Sequence, residues 1–126
     1  MAPLPDANAD DLLPFEAEEF LTWLASERGR SVNTVAAYRR DLISYCMWLK
    51  SIGTDLFSAQ RHHLDQYVGE RRSAGHAPSS VARSLAAIRM LHRHMVTEAI
   101  RPDDPTARLD GVRVPSGLPK PLSVDQ

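Results

Sequence analysis

The stretch SVNTVAAYRRDLISYCMWL, residues 31–49, carries two unlike faces at helical spacing. Val35, Tyr38, Leu42, Tyr45, Cys46 and Leu49 recur every three or four residues and form an apolar stripe suited to a core. Asn33, Ala37, Arg40, Ser44 and Ser51 gather within an arc of about 60° on a helical wheel, beside or opposite that stripe. Ser31 is placed to cap the helix, its hydroxyl accepting from the backbone N–H of Asn33 or Thr34. The second face is small, polar and cationic. It reads either as an ordinary solvated surface or as one shaped to lie close to an anionic partner.

The flanking segments repeat the helical period. Leu13, Ala17, Phe20, Leu21 and Leu24 follow it, Pro14 suits a first turn, and Gly29 is a stop. Gly53 closes the second helix, and GTDLFSAQ, residues 53–60, reads as a loop. A third helix is predicted over 59–73, with Ser58 as its cap, Leu64, Tyr67 and Val68 inward, and Gly75 beyond its end. In the fourth, Val81, Leu85, Ile88, Leu91, His92, Met95 and Val96 share an arc of about 140°. Asp104 and Pro105 predict a short fifth helix over 105–109, and GVRVPSGLPKPLSVDQ, residues 111–126, reads as an extended linker. No alternating strand pattern is present. The expected fold is all-α, a four-helix orthogonal bundle with a short fifth helix. The expected organisation is a flexible acidic arm over 1–13, a helical domain over 14–110 and a linker over 111–126.

A chain of 126 residues with 43% apolar content suits one domain with a genuine core. The formal net charge of −1 conceals a division. Residues 1–27 hold seven acids and no Lys or Arg, whereas residues 28–101 hold twelve Lys and Arg, all five histidines and five acids. One face is therefore expected to meet something anionic and another to avoid it. The single cysteine, Cys46, leaves no internal disulfide, which fits a reducing, cytoplasmic setting. No apolar run approaches the roughly 20 residues that span a bilayer. MAPLPDANADD, residues 1–11, lacks the cationic start and apolar block of a signal peptide.

The fourth segment, APSSVARSLAAIRMLHRHM (77–95), repeats the design of the second. Ser79, Ser80, Arg83, Ala86, Ala87 and Met90 share an arc of about 100°, flanked by Arg89 and Arg93. Small residues let a helix settle against a nucleic-acid groove or backbone. Hydroxyls and amides bond phosphates or base edges, and arginine can do either. Other constellations are bland. The pairs His62–His63 and His92/His94 do not share a helix face, and no CxxC or HExxH spacing accompanies them, so no metal or other cofactor is expected. His92 falls inward and His94 on a polar surface. Cys46, Trp23, Trp48, Tyr38 and Tyr45 read as packing groups.

EEFLTWLASERGRSVNTVAAYRRDLISYCMWLKSIG (18–53), APSSVARSLAAIRMLHRHM, DDPTARL (103–109) and VPSGLPKPLSVDQ (114–126) together resemble the core-binding, SAM-like domain of Xer-type tyrosine site-specific recombinases. The order and spacing of these motifs carry the resemblance, which spans about residues 18–126. It implies half of a clamp around DNA, with the second and fourth helices toward the major groove. On the matching positions it implies DNA contacts from Asn33, Thr34, Ala37, Arg40, Ser44, Ser79, Ser80, Arg83 and Ala87. Arg39, Arg89 and Arg93 fit phosphate contacts. It also implies a catalytic domain beginning near LSVDQ that holds the tyrosine nucleophile, so no catalytic residue is assigned here. The implied partners are a double-stranded DNA recombination site, other protomers in a synaptic tetramer and, through the catalytic domain, a DNA translocase. The implied cellular role is resolution of chromosome dimers. The alternative from the residues alone is a helical protein-interaction module that binds no nucleic acid, docking through its acidic first helix.

Overall fold

The computed structural model describes residues 13–107. Four helices follow one another: α1 (Phe15–Ser26), α2 (Val32–Ser51), α3 (Arg61–Ser73) and α4 (Pro78–Thr97). No strand occurs among the described residues. The all-α expectation therefore holds, and each helix lies where its apolar period placed it.

Local chemistry sets the helix ends. Ser31 Oγ accepts from the Thr34 backbone N–H at 3.1 Å and starts α2. Pro78 opens α4 at its first turn. The ends of α2, α3 and α4 share one device. A residue with positive φ follows the cap, and the next N–H reaches back five residues: Thr54 to Leu49, His76 to Arg71, Ile100 to Met95. The positive-φ residue is Gly53 in α2 and Gly75 in α3, but Ala99, at φ 58°, in α4.

The core is built from all four helices. Phe20, Leu21 and Leu24 of α1, Leu42, Tyr45 and Leu49 of α2, Leu64 and Tyr67 of α3, and Ile88, Leu91 and Met95 of α4 share one buried cluster. Burying each such side chain is worth about 1.5–3 kcal/mol. The α2–α4 pair is the most extensive contact, and α1 and α3 pack against both of its members. Tyr45 joins the two main helices by chemistry as well as by area: its hydroxyl lies 2.8 Å from His92 Nε2, in full burial. Arg101, itself buried, donates to the Leu56 carbonyl at 2.9 Å and to both Asp103 carboxylate oxygens at 3.0 Å. It thereby fastens the segment after α4 onto the α2–α3 loop.

Four expectations are corrected. Leu13 is buried in the core cluster, not part of an arm, while residues 1–12 lie outside the described ones. α3 begins at Arg61 and is capped at Gln60, whose backbone N–H donates to His63 Nδ1 at 2.9 Å. Ser58 does not cap it: Ser58 belongs to a turn in which Asp55 accepts the N–H groups of Phe57 and Ser58. The described part of the expected fifth helix, residues 105–107, is a turn. Asp104 Oδ1 accepts both the N–H and the hydroxyl of Thr106, and the Ala107 N–H donates to the Asp104 carbonyl at 3.1 Å, which closes one turn over the described residues. Lastly, His94 is buried, with its ring 4.9 Å from that of Trp23 and 5.6 Å from that of Phe20. α1 covers that flank of α4, which a single-helix wheel cannot show. The expected linker over 111–126 lies outside the described residues.

Candidate nucleic-acid interface

The two small, cationic faces are fixed to one another by an ion pair. Arg83 of α4 donates from Nε and from a terminal N–H to the two carboxylate oxygens of Asp41 on α2, both at 2.9 Å. Asp41 is almost fully buried, whereas the Arg83 side chain stays 46% exposed. The Asp41 hydrogen bond, and then its charge, push the Arg83 guanidinium further up. Two of the five guanidinium N–H groups are spent on Asp41, and three remain. Beside this pair lies a notch of about 130 Å³ that gathers Ser44 from α2 and Ser80, Arg83 and Ser84 from α4. Three of the sequence-selected residues, Ser44, Ser80 and Arg83, thus meet at one place.

The others are distributed along the same two helices. Asn33 and Arg40 are exposed on α2, and Ser79 and Arg93 are exposed on α4. Ala37 is half-buried. Thr34 is also half-buried, and its hydroxyl accepts from Ser31 Oγ at 3.0 Å, so it serves the cap. Arg39 points to α1, donating to both Glu18 oxygens at 2.7 and 2.8 Å. That bond holds the Glu18 carboxyl below the usual carboxylate range. Arg89 is half-buried.

Ala87 is a correction to the predicted face. Its exposure is 0%, so its side chain cannot touch a duplex. It lies between Arg83, four residues before, which pairs with α2, and His94, seven residues after, which lies against α1. Its small size serves close helix packing. Met90, read on the same face, also packs against the core.

Three residues of the notch, Ser84, Arg71 and His76, escaped the sequence reading. Arg71, at the end of α3, and His76, just beyond it, line its third wall. Arg71 donates to His76 Nε2 at 2.8 Å, and its guanidinium lies 5.4 Å over the Tyr67 ring. The signal was present only as an arginine and a histidine five apart across a Gly75 stop, a spacing without meaning until the chain turns. Chemically inert groups lie elsewhere. Burial pushes the Cys46 thiol up to about 12 and the Tyr67 hydroxyl up to about 12, which suits core residues.

The opposite side has the other charge. Glu18, Glu19, Glu27 and Glu98 line a groove of about 500 Å³ between α1 and the end of α4, with Phe15 exposed beside them. The division seen in the sequence is therefore spatial: acids on the α1 side, arginines and serines on the α2–α4 side.

Four helices, an ion pair locking α2 to α4 and a basic, serine-lined notch define a small helical domain with one surface suited to an anionic polymer. Residues 17–99 match the family described as phage integrase, N-terminal SAM-like domain, and the chain belongs to that family. It is similar to the tyrosine recombinase XerD of Bradyrhizobium diazoefficiens, 42% identical over 105 residues, which are 83% of this chain and 33% of that protein. The XerD protein of Yersinia pestis is 40% identical over 109 residues, 86% of this chain and 36% of the relative. That of Haemophilus influenzae is 39% identical over 107 residues, 85% of this chain and 36% of the relative. The chain spans about a third of the length of these curated relatives.

Proposed function

We propose that this chain is the DNA-binding N-terminal part of a site-specific tyrosine recombinase and lays its α2–α4 face against duplex DNA. The observation that carries this reading is the Arg83–Asp41 lock. It holds two faces of like design at one angle, so that Ser44, Ser80 and Arg83 converge. Asn33 and Arg40 extend the surface along α2, and Ser79 and Arg93 extend it along α4. Arg39 and Arg83 act first as braces between helices, and the remaining N–H groups of Arg83 can reach phosphate. The whole protein would cut and rejoin DNA strands at a recombination site through a covalent phosphotyrosine formed outside this domain. The names of the relatives support that activity, and resolution of chromosome dimers is the cellular role it fits. Other protomers on the same DNA are the expected partners, and the acidic α1 groove is the side left free for them.

The test is duplex binding across a salt series with the 126-residue chain. A domain that neutralises several phosphates loses affinity with a log–log slope near −0.9 per phosphate. Amide shifts on adding duplex should fall on α2 and the first half of α4. No binding, or shifts confined to α1, would favour the interaction module instead.

A further inference from the structure

The notch between α2, α3 and α4 has a charge that its own walls do not satisfy. Asp41 is the only carboxylate among the residues lining it, and both its oxygens are taken by Arg83 at 2.9 Å. Arg71 faces the same space and has no carboxylate partner among the described residues. Its partner is His76. Arginine can only donate, so His76 accepts at Nε2 and supplies no negative charge. Tyr67 presents its ring face, which orients the guanidinium plane without neutralising it. Around this held cation stand three hydroxyls, Ser44, Ser80 and Ser84, two of them one helical turn apart on α4. A pre-oriented guanidinium beside serine hydroxyls, in a space of about 130 Å³, matches a tetrahedral oxyanion in size and in donor chemistry.

We infer that this notch seats one phosphodiester group of the duplex backbone, with Arg71 as its principal cation, so that α3 as well as α2 and α4 takes part in binding. The inference rests on the DNA-binding reading above and adds a register to it. A phosphate held at a fixed point between three helices sets where along the duplex the faces of α2 and α4 lie. Such a contact positions the domain and reads no sequence.

Arg71→Gln and Arg71→Lys variants of the chain are compared with the parent on one duplex across salt. On the same duplex, single phosphates are replaced in turn by neutral methylphosphonates. Arg71→Gln should weaken binding several-fold, equally on specific and mixed sequences, and reduce the salt slope by about 0.9. Arg71→Lys, which keeps the charge, should keep the slope. One methylphosphonate position should weaken the parent but not Arg71→Gln, because the two changes remove the same contact. If the parent binds and Arg71→Gln binds identically, or if no methylphosphonate position is coupled to Arg71, the notch is not a phosphate seat and the DNA reading stands. If the parent does not bind duplex at all, both fall.

Discussion

His92 is buried among apolar neighbours with its Nε2 against the Tyr45 hydroxyl, and this has a cost that depends on pH. Burial first, and the Arg101 charge second, lower it to about 4. In the unfolded chain a histidine titrates near 6.5. Between these values the unfolded chain takes up a proton that the folded chain refuses. Stability is therefore complete above about pH 6.5 and declines as pH falls toward 4, by roughly 3 kcal/mol at the lower end. Urea unfolding across that range should show the decline, and His92→Gln, which can still bond Tyr45, should flatten most of it. His63, also lowered, adds a smaller fall of the same sign. An unchanged pH profile in His92→Gln would remove His92 as the cause. Ala99 makes the opposite kind of prediction. It holds φ 58° where α2 and α3 use glycine, and an L-residue there costs about 1–2 kcal/mol. Part of that is offset by the extra freedom glycine gives the unfolded chain. Ala99→Gly should stabilise the domain by about 0.5–1 kcal/mol, measured as a shift in denaturation midpoint at constant m-value.

Helices are the scale at which sequence and structure agree most and then part. The apolar periods of residues 13–24, 35–49 and 81–95 located three helices and nearly all of their buried residues, because a helix must hide one stripe whatever it packs against. A wheel does not say which neighbour covers the remaining flanks. Ala87 was read on the small cationic face and His94 on a polar surface, yet both are buried, His94 against Trp23 of α1. Arg83 and Asp41 each lie on a polar-looking face, and only the approach of α4 to α2 turns them toward one another. The notch residues Arg71 and His76 were silent for the same reason. The lock makes a prediction that separates bracing from binding. Arg83→Ala strips a buried carboxylate of its partner, which should cost about 1–3 kcal/mol of stability before any effect on DNA. Arg40→Ala, on an exposed side chain, should leave stability within about 0.5 kcal/mol and change only the affinity. Equal thermal denaturation of the two variants would mean that the Arg83–Asp41 pair does not fasten the helices.

At the scale of the whole molecule, charge separation does what net charge cannot. A formal charge of −1 gives little attraction to DNA from a distance. The acids of α1 and the arginines of α2–α4 give instead a dipole, which turns one face toward a polyanion and the other away from it. Glu19 and Glu27 are exposed and make no ion pair among the described residues, so they contribute to this field without bracing another helix. Glu19→Lys with Glu27→Lys should therefore preserve folding while abolishing the orientation. Association with mixed-sequence duplex should become faster at about 0.05 M salt, where charges act over more than 10 Å, and this advantage should vanish near 1 M, where they act over about 3 Å. The bound state should change as well. A duplex-borne paramagnetic label that broadens only α2–α4 resonances in the parent should broaden α1 resonances too in the double variant, because the molecule then has two faces that DNA accepts. If the label reports the same face with the same rate in both proteins, the acidic helix plays no part in presenting the α2–α4 surface, and contacts within that surface alone must choose it.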